Sequence, residues 1–186
     1  MKRSNLLSGA AVAAMLAGAA GAASAGGFVN GGFESGDLTG WTQGGGYRYT
    51  VFNHDLSPST FLYPDGGRGQ VMSLGDVDPN VGATFGSTVY NGSHSYRVED
   101  TTYGGYGTYI QQAVANYTDP DIYFAWKSVL LGAHGIDDAA TMIISLTDTT
   151  TNTELIHREY NAADDGSGVD ARFSNYFGNF YTPEWL

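Results

Sequence analysis

Apolar residues after position 25 recur in short alternating runs rather than at helical spacing. The alternation is clearest at Met142, Ile144 and Leu146, which would share one face of a strand. Glycine, asparagine, aspartate and proline separate the runs, which is typical of all-β proteins. The predicted strands span residues 28–33, 47–53, 70–74, 83–89, 94–99, 108–115, 121–131, 141–147 and 154–160.

The order of the runs predicts how the strands are connected. Residues 148–153 are rich in turn-forming types, so we expect the last two strands to form a hairpin. Residues 121–131 are the longest and most apolar run, which predicts a central strand. Residues 164–179 are polar and contain glycine, which predicts a long loop. Because no repeat or linker divides the chain, residues 26–186 are predicted to form a single β-sandwich domain.

Residues 1–25 have the three parts of a secretory signal peptide. Lys2 and Arg3 form a basic start, an apolar stretch follows, and Ala23-Ser24-Ala25 is an A-x-A cleavage sequence. A membrane anchor is the alternative, but the stretch of about 18 residues is close to the lower limit for spanning a bilayer. We therefore predict a protein that is secreted, periplasmic or at the cell surface, with no membrane span after cleavage.

Charge and cysteine content narrow the classes of partner. Without Lys2 and Arg3 the chain has 6 basic and 19 acidic residues, a net charge of −13. Such a surface repels phosphate backbones, which argues against a nucleic-acid partner. The chain has no cysteine, so disulfides, cysteine-bound metals and thiol nucleophiles are excluded. Stability must come from the core, from a bound metal, or from both.

Candidate catalytic motifs are few. The four histidines, His54, His94, His134 and His157, are scattered and form no H-E-x-x-H motif, and no G-x-S-x-G motif occurs. A glycosidase needs only two facing carboxylates, which leaves a glycan-active enzyme as an alternative, but no pair of acids stands out. The sequence favours a non-catalytic protein.

Three segments together resemble a known family. Residues 30–41 have the pattern N-G-x-F-E-x-G-x-x-x-G-W, residues 91–98 read N-G-S-H-S-Y-R-V, and residues 109–112 read Y-I-Q-Q. They resemble galactose-binding-like jelly-roll domains, which include carbohydrate-binding modules and domains of exported bacterial proteins with PEP-type C-terminal sorting signals. The resemblance implies a jelly-roll β-sandwich. Since the family's closing strands are missing, we expect the domain to be truncated at Leu186.

Glu34 and Asp37 are candidate metal ligands. They lie three positions apart in a glycine-rich segment, and calcium is bound by carboxylate and carbonyl oxygens. In the family that the chain resembles, the acid of the F-E pair often helps to bind a structural calcium ion. The resemblance therefore implies a Ca²⁺ site at Glu34, with Asp37 as a further ligand. Solvated loop acids are the alternative.

Five tyrosines are candidate ligand-binding residues. Tyr103, Tyr106 and Tyr109 lie in a glycine-rich segment that enters a strand, and Tyr47 and Tyr49 share one face of another strand. An exposed tyrosine offers a flat apolar face and a hydroxyl group, which suit a sugar ring. We therefore predict a polysaccharide or cell-surface glycan as the partner. A purely structural or adhesive surface domain without a small-molecule ligand is the alternative.

Other large aromatic residues are predicted to lie in the core. Phe33 and Trp41 stand among glycines in the first motif, and Trp126 lies in the most apolar run. Large rings in such positions usually anchor a sandwich. We expect them to be largely buried rather than to contact sugar.

The export prediction can be tested on the mature protein. Because small residues occupy positions 23 and 25, signal peptidase should cleave before Gly26. N-terminal sequencing of protein secreted from a bacterial host should therefore begin at Gly26 or within a few residues of it. An intact Met1 on a membrane-bound product would contradict the prediction.

Overall fold

The computed structural model describes residues 24–25, 27–48, 52–58, 67–98, 104–132, 134–163 and 165–186. Within these ranges the protein is all-β, as predicted, and its helical segments are two 3₁₀ turns, Asn53–Asp55 and Ala83–Phe85. The strands are β1 Ser24–Ala25, β2 Thr42–Tyr47, β3 Gln70–Ser73, β4 His94–Arg97, β5 Tyr106–Gln111, β6 Val114–Ala115, β7 Val129–Leu131, β8 Thr141–Asp148, β9 Thr153–Asn161, β10 Ser174–Tyr176 and β11 Asn179–Tyr181. None of the described helical segments is long and apolar enough to cross a membrane.

The strands pair in several short sheets. Strands β2 and β5, β3 and β4, and β8 and β9 form antiparallel ribbons, and β10, β11 and β7 form a three-stranded antiparallel sheet. Strand β1 pairs in parallel with β6. Short, mainly antiparallel sheets of this kind suggest a β-sandwich, whereas the jelly-roll connectivity stays a prediction. Most of the predicted signal peptide, residues 1–23, lies outside the described residues, and its last two residues form β1.

The predicted hairpin between β8 and β9 is confirmed. The two strands pair from Thr141 opposite Asn161 to Asp148 opposite Thr153, with a register shift after Leu146. Asp148 closes the turn, because its Oδ1 accepts a hydrogen bond from the Thr150 backbone N–H over 2.8 Å. This local hydrogen bonding is the usual reason for aspartate at the start of a turn.

Two predicted strands are turns instead. Residues 28–33 do not form a strand, because Asn30 and Phe33 have φ angles of 49° and 60°, which a strand does not permit. Residues 83–89 begin with the 3₁₀ turn Ala83–Phe85. Their apolar spacing reflects the burial of Phe85 and Val89 rather than an extended chain.

The prediction of a central strand over residues 121–131 is also wrong. Only Val129–Leu131 is a strand, and it lies at one edge of its sheet. Trp126 and Leu186 exchange two backbone hydrogen bonds of 3.0 Å, so the C-terminal residues run beside the segment that precedes β7. The predicted loop over residues 164–179 contains β10 and the turn that leads to β11.

The buried apolar residues form two clusters. The first contains Val81, Phe85 and Tyr181. The second is built on Leu130, Tyr160 and Ala162, and several partly buried residues pack against it. The first cluster contains Tyr181 of β11 and the second contains Leu130 of β7, so the three-stranded sheet contributes to both.

The two tryptophans predicted to be buried are partly buried. Trp126 packs on the second cluster, with its ring centroid 4.9 Å from that of Tyr160. Trp41 lies between Phe28 and Phe33, at centroid distances of 6.3 and 5.3 Å. Each indole therefore anchors an aromatic group, as expected, without being fully enclosed.

The turn between β10 and β11 is strained. Its two central residues, Phe177 and Gly178, have φ angles of 49° and 84°, as in a type I′ turn. That turn favours asparagine followed by glycine, because a positive φ places the Cβ of most residues too close to the backbone. Phe177 is also 88% exposed, so burial contributes little to compensate for the strain.

Phe177→Asn should therefore stabilise the protein. Asparagine adopts the left-handed conformation at lower cost, which predicts a gain of about 1 kcal/mol in the free energy of unfolding. Denaturant unfolding measures the change. The control is Phe177→Ala, which removes the exposed ring but keeps the strain. Equal stability of the two variants would contradict the explanation.

Candidate functional site

Residues 30–41, which carry the first family-like motif, form a hydrogen-bonded loop. The Asn30 side-chain amide donates to the Asp37 carbonyl over 2.9 Å, and the Trp41 Nε1 donates to the Asn30 carbonyl over 3.1 Å. The Asp37 Oδ1 accepts the Ser35 hydroxyl over 2.6 Å and the Thr39 backbone N–H over 2.9 Å. These bonds, with the Ser35 hydroxyl contributing most, lower the pKa of Asp37.

Glu34 connects this loop to the start of β4 in the antiparallel ribbon of β3 and β4. Both carboxylate oxygens accept the Ser93 backbone N–H over 3.0 Å, and Oε1 also accepts the His94 N–H over 3.1 Å. The bond from Ser93 and then that from His94 lower the pKa of Glu34. A Cβ at Gly92, where φ is 78°, would collide with the same carboxylate. Two of the family-like segments are therefore in direct contact.

The calcium prediction for Glu34 and Asp37 remains a prediction. In the described ranges, no group of three or more histidine, aspartate or glutamate side chains is arranged to hold a metal ion. Each of the two acids has its own set of protein hydrogen-bond donors. The role that the contacts give to Glu34 is that of a hydrogen-bond acceptor between two loops.

Two of the predicted tyrosines meet at the end of the ribbon of β2 and β5. Tyr47 and Tyr106 are directly opposite each other, with ring centroids 5.9 Å apart in an edge-to-face arrangement. They are 47% and 41% exposed. Tyr49 and Tyr103 lie outside the described residues.

Tyr109 does not join this pair. It lies three positions after Tyr106 in β5, so its side chain is on the opposite face of the ribbon. There the ring covers Gly44, where a Cβ would lie 2.5 Å from the tyrosine hydroxyl oxygen. Tyr109 is therefore a packing residue in the described structure.

Arg68 completes the exposed tyrosine pair, and sequence reasoning missed it. Its guanidinium carbon lies 3.3 Å from the centroid of the Tyr106 ring, a cation–π contact. Tyr47, Tyr106 and Arg68 are called the tyrosine–arginine site below. The sequence feature that could have indicated Arg68 as a site residue is its position between Gly67 and Gly69 in a strongly acidic chain.

The two glycines bring Arg68 to this position. The Arg68 backbone N–H donates to the Thr108 hydroxyl over 3.1 Å. A Cβ at Gly67 would lie 3.1 Å from the Gln43 side chain, and a Cβ at Gly69 would collide with the Tyr96 hydroxyl. A side chain at Gly69 would therefore displace Tyr96 of β4, and one at Gly67 would require a small shift of Gln43 of β2, so the two glycines allow the segment to pack closely on both strands.

A second arginine lies at the same end of the ribbon but on its other face. Arg48 follows Tyr47 in the chain, and its backbone N–H donates to the Gly105 carbonyl over 2.7 Å. Its guanidinium forms an ion pair with Asp138. This end of the ribbon thus holds two of the 6 basic residues that follow the predicted signal peptide.

A shallow surface depression lies elsewhere, around residues 117–123. It has a volume of about 390 Å³ and is lined by two tyrosines, two aspartates and a proline: Tyr117, Asp119, Pro120, Asp121 and Tyr123. Tyr123 is 88% exposed, so the chain offers an exposed tyrosine outside the tyrosine–arginine site. It can serve as a control position in binding experiments.

Comparison with protein-family models, with curated proteins and with solved structures finds no match for this chain. The resemblance to galactose-binding-like domains therefore rests on the motif residues alone.

Glu34→Gln should lower the thermal midpoint near pH 7. The glutamine keeps one acceptor oxygen but loses the negative charge that the Ser93 and His94 N–H groups stabilise. Because the pKa of Glu34 is lower in the folded protein than the unfolded value of about 4.3, its stabilisation is present above about pH 4.3. This stabilisation is lost as the pH falls through the lower pKa that Glu34 has in the folded protein. The gap between wild type and variant should therefore narrow in acid.

The same melting curves test the calcium prediction. If Glu34 acts only as a hydrogen-bond acceptor, Glu34→Gln should lower the thermal midpoint by the same amount in a chelator and in millimolar calcium. A calcium-induced rise that Glu34→Gln abolishes would support the metal site. Glu154→Gln, which alters an exposed glutamate in β9, is the control. A midpoint unchanged by Glu34→Gln in all conditions would refute both roles.

Proposed function

We propose that this chain is a non-catalytic carbohydrate-binding domain of an exported or cell-surface protein. The observation that carries the proposal is the exposed pair of Tyr47 and Tyr106 at the end of the β2–β5 ribbon. A structural calcium ion at Glu34 is a separate proposal, tested by the melting curves above.

The chemistry of the pair supports sugar binding. A tyrosine ring packs against the apolar face of a sugar, while its hydroxyl group can hydrogen-bond to the sugar hydroxyls. Because the two rings are inclined by 70°, a sugar stacked on one ring would meet the edge of the other. The site therefore offers the face of one tyrosine ring for stacking and the edge of the other for a lateral contact.

Arg68 makes the site more rigid. Its guanidinium covers one face of Tyr106 and restricts rotation of that ring. Tyr47 is then the ring on which a sugar would stack. Fixing side chains before binding lowers the entropy cost of association, which matters for a small exposed site.

Tyr47→Ala and Tyr106→Ala should weaken glycan binding. Loss of one stacking ring should lower the affinity on the order of tenfold, which corresponds to about 1.4 kcal/mol. Affinity electrophoresis in gels that contain neutral or acidic polysaccharides would identify a retarding glycan, and calorimetry with its oligosaccharides would give the affinities.

Tyr123→Ala is the matched control, because it removes an exposed tyrosine outside the site. It should leave the affinity unchanged. If the wild-type protein were retarded by no glycan, or if all three variants were weakened equally, the proposed site would be wrong. A structural or adhesive domain without a sugar ligand would then be the better interpretation.

A further inference from the structure

We propose that a second depression of the surface, between residues 135–136 and 163–167, binds a calcium ion, with Asp165 and Asn161 as side-chain ligands. The site is distinct from the one proposed at Glu34 and does not depend on the proposed sugar binding. It rests on two observations. Asp165 lines a depression of about 280 Å³, and beside it the buried Asn161 has an acceptor oxygen without a hydrogen-bond partner.

The depression lies between two loops, one that connects β7 to β8 and one that connects β9 to β10. Asp165 is the one ionisable residue among those that line it. Hydrogen bonds from the Ser167 hydroxyl and then from the Ser167 backbone N–H, which lies 2.9 Å from Oδ1, lower the pKa of Asp165. The carboxylate is therefore ionised at neutral pH, and no basic residue lines the depression with it: Gly135, Ile136, Ala163, Asp165 and Ser167.

Asn161, the last residue of β9, lies beside this depression. Its Nδ2 donates to the carbonyl of the lining residue Ile136 over 2.7 Å and to the Thr141 hydroxyl oxygen over 2.8 Å. The Thr141 hydroxyl gives its own hydrogen to the Ala139 carbonyl. Both neighbours of Nδ2 are therefore acceptors, which fixes the orientation of the amide.

The amide oxygen of Asn161 faces the other loop. The Asn161 backbone N–H donates to the Gly168 carbonyl over 2.9 Å, so this loop lies on the side of β9 opposite to β8. Because Nδ2 is directed toward Thr141 on the β8 side, Oδ1 is directed toward the loop that carries Asp165. Asn161 is 2% exposed, and its Oδ1 is enclosed without a hydrogen-bond donor.

These groups suit calcium. Calcium is bound by carboxylate, amide and main-chain carbonyl oxygens together with water, so a site can be built on one carboxylate. A buried acceptor without a partner is costly, and a cation beside it removes that cost while it neutralises Asp165. Calcium approaches an oxygen to about 2.3–2.6 Å, closer than the ~2.7–2.8 Å of a water donor, which favours the ion at an enclosed oxygen.

Equilibrium dialysis of chelator-treated protein against radioactive calcium tests the site. We expect a dissociation constant on the order of 0.1–1 mM, as in other extracellular calcium modules. Asp165→Asn keeps a side-chain oxygen but removes the charge, so it should weaken binding about tenfold. Asp119→Asn, which removes an exposed aspartate from the other depression, is the matched control and should leave binding unchanged.

Asn161→Asp tests the buried ligand. In a chelator the new carboxylate lies against two acceptors, the Ile136 carbonyl and the Thr141 hydroxyl oxygen, so the variant should melt below the wild type. Calcium should offset this loss, and its addition should raise the thermal midpoint more in the variant than in the wild type. An Asn161 with a purely structural role would give no larger rise. Because Asp165 is exposed, the dialysis result does not depend on the folding of this variant.

Glu34→Gln separates the two calcium proposals. Calcium binding that survives in Glu34→Gln but is weakened in Asp165→Asn would support the site described here, as would the loss of one of two bound ions in each variant. Binding that Glu34→Gln abolishes and Asp165→Asn leaves unchanged would overturn it. No bound calcium in the wild type at about 10 mM would overturn both sites. None of these outcomes bears on the proposed sugar binding, which the tyrosine variants test.

Discussion

Close approach of chain segments at glycine is the constraint on which the described structure depends. The protein has no disulfide, and its apolar clusters are small. Within its ribbons, and between one loop and a ribbon, side chains lie directly on a backbone without a Cβ. Tyr109 covers Gly44, Tyr96 lies against Gly69, and the carboxylate of Glu34 lies against Gly92. Added side chains at these glycines would displace the groups that cover them.

Carboxylates supply a second kind of connection. Glu34 accepts backbone N–H groups from another loop, and Asp148 accepts those of its own turn. Asp78, which is buried, does the same for Asn80 and Val81, over 2.9 Å each. Part of the large negative charge of the chain is therefore used to fix loops through the backbone. Because such bonds need no basic partner, they suit a chain with few lysines and arginines.

Sequence reasoning succeeded where structure is local and failed where it depends on distant segments. The β8–β9 hairpin follows from alternating side chains and an adjacent turn, both readable within 21 residues, 141–161. The apolar pattern could not reveal the positive φ angles of Asn30 and Phe33, which break the strand expected at residues 28–33. The contact of Arg68 with Tyr106 joins positions 38 apart and is invisible to local patterns.

Residues an odd number of positions apart lie on opposite faces of a strand. This rule, applied to the sequence, would have separated Tyr109 from Tyr106 in the predicted binding site. The contact of Tyr109 with Gly44 also has a consequence for sequence divergence. The backbone of Gly44 has no positive φ, so only the ring above it excludes a side chain there. In related chains, positions 44 and 109 should therefore vary together, with a larger residue at position 44 tolerated only where position 109 has become small.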